Sequence, residues 1–181
     1  MEVHCVAAGE ATGFLTFANT SVSTSFSQTR DVNTGVKIPV SMVDDLVPSG
    51  EDILLLKTDT QGYELSVLKG AVQLLARRVH FLMVEFSYGL MGASGTDPIE
   101  LLHFIYDRGF VCTYMAYHTK LKSGKYNIVQ KQPVFTQDSV SFARFVESLR
   151  TVSSPEAAGV SGWTDLLCAR AHVGSVAKYN L

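Results

Sequence analysis

Two carboxylates stand where chemistry could be done. Asp59 follows the run "LLLKT" and Glu85 follows "FLMV". Both runs have the length and apolar character of strands, so each acid falls at a strand's carboxyl end. In an open α/β sheet, ligands bind in the crevice beyond those ends, and a shared rim would bring the two acids together. A carboxylate there can hold a hydroxyl, hold a charged cofactor group, or act as a base. Blander roles stay open beside these: Asp59 capping the next helix or its turn, and Glu85 pairing with a lysine, an arginine or a backbone amide. Around Asp59 the chain reads "TDTQGYE". Gln61-Gly62 fits a tight strand-to-helix turn, with Gly62 supplying a positive φ or letting a ligand approach the backbone. Lys57 reads as a paired or snorkelling side chain, and Tyr63 as packing or a substrate contact.

The elements that must position these groups are legible. "DILLLKTD" (Asp52–Asp59) and "FLMVEF" (Phe81–Phe86) are strands whose continuous apolar character suits cover on both faces. Between them Leu65, Leu68, Val72 and Leu75 recur at helical spacing. That predicts a helix from about Tyr63 to Ala76, with Gly70 marking a break or a close backbone contact. Two such runs joined by one amphipathic segment predict adjacent parallel strands. "GASGTD" (Gly92–Asp97) lacks the lysine of a phosphate loop and reads as a flexible linker. Next, Asp97 is a good N-cap, Pro98 suits the first helical position, Glu100 falls where a capping box wants it, and Gly109 suits the far end. "FVCTYMAY" and "YNIVQKQ" are strands around "KLKSGK", a solvated hairpin tip. "DSVSFARFVESLR" is a helix with Phe142, Phe145, Val146 and Leu149 on one face, and "WTDLLCAR" (Trp163–Arg170) is a last strand. Upstream, "VHCVAA" (Val3–Ala8) and "FLTFA" (Phe14–Ala18) read as a hairpin, residues 19–33 as a polar loop, and Val36–Leu46 as extended at first, with Pro39 consigning it to an edge. The whole predicts an open α/β sheet, mostly parallel, with an antiparallel closing strand.

Composition narrows the classes. The chain has 181 residues, 46% of them hydrophobic, which suits a single domain with a real core. A net charge of -2 argues against a nucleic-acid surface. No apolar run approaches a membrane span and the amino terminus lacks a basic n-region, so a cytoplasmic protein is expected. Cys5, Cys112 and Cys168 lie far apart, which suits buried small hydrophobes in a reducing compartment. The histidines are scattered and no zinc spacing exists, so no metal is expected.

"DDL…DILLLKTDTQGYELSVLKGA…LMVEF" closely resembles the FkbM family of S-adenosylmethionine-dependent methyltransferases. That family typically shows a strand ending Lys-Ile-Asp-Val-Glu-Gly, a helix reading Glu-Leu-x-Val-Leu-Lys-Gly-Ala, and a next strand ending in Val-Glu. The matching positions here are Lys57, Asp59, Gly62, Glu64, Leu65, Val67, Leu68, Lys69, Gly70, Ala71 and Glu85. Asp44-Asp45-Leu46 resembles the preceding segment, "GWTDLLCAR" the closing strand, and "VHCVAAGEATGFLTFA" the stretch before the core. The match is specific over about forty residues and loose elsewhere. Gln61 stands where the family usually has Glu. The resemblance implies a Rossmann-like methyltransferase sheet, ordered three-two-one-four-five-seven-six, whose first two strands carry a glycine-rich cofactor loop and an acidic residue for the ribose. No segment here matches either, so the sheet is expected to be N-terminally incomplete.

What the resemblance implies for function is methyl transfer from S-adenosylmethionine to a hydroxyl of a sugar or other small molecule. Asp59 and Glu85 are its catalytic candidates, and Asp59, Gln61 and Gly62 its cofactor-binding candidates. Without the glycine loop the chain is expected to bind the cofactor weakly and to show no transfer alone. An incomplete sheet would leave the strand Leu54–Thr58 with an open edge, to be covered by the N-terminal hairpin or by a second copy. A non-catalytic binding or scaffold module on the same half-sheet is the alternative, and a different nucleotide- or sugar-binding α/β enzyme a third reading.

Overall fold

The computed structural model describes residues 2–17, 36–114, 117–120, 126–129, 134–135, 138–153 and 162–171. The polar stretch 19–33 and the hairpin tip 121–125 lie outside them. The fold is mixed α/β with two sheets. The larger is built on β4 (Ile53–Thr58), β5 (Val79–Phe86), β6 (Phe110–Tyr114), β9 (Val134–Phe135) and β10 (Gly162–Arg170), in the spatial order β4-β5-β10-β6-β9. β7 (Tyr117–Lys120) joins by pairing with β10, and β8 (Tyr126–Val129) by pairing with β7.

β4 and β5 are parallel neighbours, with Leu55 opposite Phe81 and Thr58 opposite Val84, as two strands joined by one helical crossover should be. β10 runs antiparallel to both β5 and β6 and lies between them. It is therefore the closing strand, and β5 and β6 point the same way. Among the described ladders of this sheet, however, only β4–β5 is parallel, so the sheet is mixed and not mostly parallel as expected, because β10 inserts between β5 and β6 and the strands after β6 pair antiparallel.

The helices cover one face. Leu82, Val84 and Phe86 of β5, Leu166 and Cys168 of β10, and Phe110, Cys112 and Tyr114 of β6 share a core with Leu65, Leu68, Leu74, Leu75, Leu101, Ile105, Phe142, Phe145 and Leu149. These helical residues come from α2 (Glu64–Lys69), α3 (Val72–Arg77), α5 (Pro98–Tyr106) and α6 (Ser139–Ser153). The alternate residues Phe81, Met83 and Glu85 lie on the opposite face and are only half-buried.

The predicted helix over 63–76 is two short helices broken at Gly70-Ala71. The break has a packing cause: a Cβ at Gly70 would collide with the carbonyl of Gly9. The freed amides are recovered by α1 (Val43–Leu46), where Asp44 accepts from Gln73 N at 2.8 Å and Leu74 N at 2.9 Å. Its carboxylate so caps α3 from outside. Glu100 makes no capping box but pairs with Lys69 at 2.8 Å, while Asp97 caps α5 through Ile99 N as predicted.

Four further expectations are corrected. β1 (Ala7–Ala8) and β2 (Gly13–Phe17) do not pair as a hairpin; both flank β3 (Val36–Ser41) in a separate sheet, β1 parallel to it and β2 antiparallel. Pro39 therefore sits in a central strand, tolerated because β1 pairs only with Val40 and Ser41 and leaves the other side open at 39. β4 is not covered on both faces but is an edge, with Leu54 69% and Leu55 52% exposed. Neither the N-terminal strands nor any other described strand takes its outer side. Finally, Cys112 and Cys168 face each other across β6 and β10, with Cα atoms 4.0 Å apart, and form a disulfide, while Cys5 is exposed. Strand register, invisible in a sequence separation of 56, puts the two thiols together and removes the cysteine argument for a reducing compartment. Among the described residues no helix is long and apolar enough to cross a membrane.

Candidate functional site

The register that pairs Thr58 with Val84 carries Asp59 alongside Glu85, one residue beyond the end of β4. The chain then turns sharply through Gln61 (φ 55°) and Gly62 (φ 108°), two consecutive residues in the left-handed half of backbone space. Gly62 has no alternative: a Cβ there would lie 2.5 Å from the Leu90 carbonyl oxygen of α4 (Tyr88–Ala93). Its own carbonyl accepts from Ser94 Oγ at 2.6 Å. The segment read as a flexible linker, Gly92–Asp97, thus ends α4 and buttresses the turn from behind.

Glu64 fixes the turn from within. Its carboxylate, almost fully buried, accepts from Thr60 N at 2.8 Å, Thr60 Oγ1 at 3.2 Å and Gly62 N at 3.0 Å. A buried carboxylate is tolerated when backbone and hydroxyl donors take its lone pairs, and these do. This structural role was missed in the sequence, although a glutamate opening a helix just after a glycine turn was the available signal.

The turn aims the Gln61 side chain at both acids. Its Nε2 donates to Asp59 Oδ1 at 3.0 Å and to Glu85 Oε2 at 2.8 Å. Lys57 Nζ donates to the other oxygen of Asp59 at 2.9 Å. Asp59 is therefore not a helix cap, and Lys57 is paired. All four predicted site residues, Asp59, Gln61, Gly62 and Glu85, meet at one rim.

The two acids sit in opposite electrostatic states. The Lys57 hydrogen bond, helped by Gln61, holds the Asp59 carboxyl below its ordinary range. Burial, then the charges of Asp59 and Glu64, push Glu85 up to about 7, against the opposing pull of the Gln61 amide. Asp165, opposite Glu85 on β10, adds to the push. At neutral pH one carboxylate is ionised and the other is poised between forms, as a proton acceptor requires. Lys57, its pKa raised chiefly by Asp59, stays charged.

A cleft of about 540 Å³ lies beside the rim, between the N-terminal strands and the start of α2. Its wall is largely apolar, from Val6, Ala8, Phe14 and Val40, and Thr60, Tyr63 and Ser66 border it on the α2 side. Tyr63 thus has a surface on a cavity rather than a wholly packed position. Thr60 belongs both to this wall and to the turn, which makes cleft and carboxylate pair neighbours.

A sequence profile of the methyltransferase FkbM domain matches residues 1–112, which include the whole rim. No curated protein and no solved structure matches the chain.

Proposed function

Because the chain belongs to the FkbM methyltransferase family, we propose that the Asp59–Glu85 rim is its methyl-transfer site, using S-adenosylmethionine and a hydroxyl acceptor. The observation that carries this reading is the split pair of acids: Asp59 ionised beside Lys57, and Glu85 tuned to about 7. The strand order β4-β5-β10-β6 supports it too, since it matches the fourth, fifth, seventh and sixth places of a Rossmann-like methyltransferase sheet. On this reading residues 1–181 form a single domain.

The residues present fit a cationic cofactor. Asp59, Glu85 and Asp165 act on one lysine and Glu64 adds its charge beside Glu85, so the rim is net negative. The cleft offers small, largely apolar walls beside it. When bound, S-adenosylmethionine would supply an electrophilic methyl group. Asp59 would hold the cofactor's polar groups, aided by Gln61 and by the close backbone approach that Gly62 permits. Glu85 would accept the proton of the acceptor hydroxyl while that hydroxyl's oxygen takes the methyl group, the methyl–sulfur bond breaks and its electron pair stays on sulfur as a neutral thioether. Half-burial beside the partly covered sheet face keeps Glu85 from being levelled by water.

Conversion of S-adenosylmethionine to S-adenosylhomocysteine, followed with a panel of sugars and small alcohols, tests the reading. Because no segment matches the glycine-rich loop, little or no transfer is expected from these residues alone. With a segment carrying such a loop supplied upstream, turnover should rise with pH around 7 and fall at least tenfold in Glu85→Gln, the scale at which a positioned base contributes ~100-fold or more. Conversion unaffected by that substitution refutes it.

A further inference from the structure

We propose that Gln61 is a positioning residue, whose single side-chain amide holds Asp59 and Glu85 in place and sets which of them is the proton acceptor. This deepens the reading above and rests on it for its link to methyl transfer, though not for its geometry. The amide nitrogen has two hydrogens, and two carboxylate oxygens accept from it, at 3.0 Å and 2.8 Å. The bond to Glu85 joins residues 24 apart in sequence and ties the β4–α2 turn to the end of β5.

The backbone is arranged to deliver that amide. Gln61 holds φ 55°, a conformation that non-glycine residues adopt only at a cost. Glu64 clamps the residues on either side, through Thr60 N and Gly62 N. Ser94 anchors the Gly62 carbonyl. The strain is thus maintained by a buried carboxylate and a second helix, and its product is the doubly donated amide.

The charge at this position is what the arrangement depends on. The groups facing Glu85 are Asp59 beyond β4, Glu64 on α2, Asp165 on β10 and Lys57 on β4. Three of the four are acidic. A glutamate at 61 would replace two donors with a fourth negative neighbour. Gln61 lets the two carboxylates approach a common donor without that repulsion. The residue therefore acts through Asp59 and Glu85 and need not touch cofactor or acceptor.

The test reads Glu85 directly and needs no cofactor. The full chain, carrying ¹³C in its glutamate carboxyls, is titrated by NMR, with Glu85→Gln identifying the Glu85 signal. Gln61→Asn is the main variant. Asparagine tolerates the left-handed backbone, yet its shorter side chain cannot span both carboxylates. Gln61→Glu is the second. The expected midpoint is near 7 in the parent, higher in Gln61→Asn, and higher again in Gln61→Glu. Amide spectra confirm that each variant is folded; should one be unfolded, the other decides. A folded variant whose Glu85 midpoint does not move upward overturns the proposal. Shifted midpoints beside a conversion that Glu85→Gln leaves unchanged would uphold the role of Gln61 and refute the methyl-transfer reading instead.

Discussion

Gly62→Ala should be among the most damaging single-methyl changes in the molecule. Two costs add. The residue holds φ 108°, where an L side chain is strained by about 1–3 kcal/mol. The added Cβ would also lie 2.5 Å from the Leu90 carbonyl oxygen and 2.8 Å from its carbon. That carbonyl already accepts the Ser94 amide at 3.0 Å, so it cannot swing away freely. Overpacking of this kind costs roughly 1–3 kcal/mol. Together the loss is about 2–6 kcal/mol, a large share of the ~5–15 kcal/mol that holds a typical domain. Gly92→Ala is the control. It adds the same methyl group in α4, where a Cβ meets nothing within 4 Å, and helix propensity should make it neutral or stabilising by up to ~1 kcal/mol. Urea unfolding at pH 7, reported as midpoint and slope, measures both. A Gly62→Ala variant within about 0.5 kcal/mol of the parent, the scatter of ordinary surface changes, would refute the account of the turn.

Glu85 should make stability fall with rising pH. Its folded pKa of about 7 lies above the ordinary 4.5, so between those values the native state binds more protons than the unfolded one. Discounted for half-exposure, the penalty at pH 8 is ~1–2 kcal/mol, and Glu85→Gln should recover it there while changing little at pH 4; equal effects at both pH values would count against the shift. Asp44→Ala removes the acceptor of two α3 amides and should cost about 1–2 kcal/mol in urea. A loss no greater than that of an exposed alanine substitution would show the cap to be idle. Leu54→Lys, on the exposed edge of β4, should leave stability within about 0.5 kcal/mol and reduce concentration-dependent association in sedimentation; association unchanged by the lysine would place it elsewhere.

Local pattern anticipated that the candidate residues meet at one rim because the rim is local. Asp59, Gln61 and Gly62 sit on one turn, and Glu85 ends the next strand, so the βαβ connection alone predicts their meeting. The same logic gave the parallel β4–β5 pair and the cap of α5. What escaped was decided by distant chain. Gly70 breaks its helix because Gly9 crosses there, and Asp44 repairs the break from 29 residues away. Cys112 and Cys168 bond because β10 inserts between β5 and β6, a register no spacing reveals. β4 reads as fully buried from its leucines, but apolar content cannot say whether a neighbour exists to cover them. Pro39 misled for a related reason: a proline bars a strand from the centre of a sheet only where a ladder needs its N–H.

The most direct test of the methyl-transfer site is amide NMR of the labelled chain titrated with S-adenosylmethionine to millimolar concentration, a range that captures weak as well as tight binding. The account predicts saturable shifts centred on Asp59, Gln61, Gly62 and Glu85 and extending to Thr60 and Tyr63 on the cleft wall. In Asp59→Asn the affinity should drop roughly tenfold or more, the worth of one charge-assisted hydrogen bond. Saturable shifts confined to another part of the chain, or an affinity that Asp59→Asn leaves unchanged, would contradict the placement of the site at this rim.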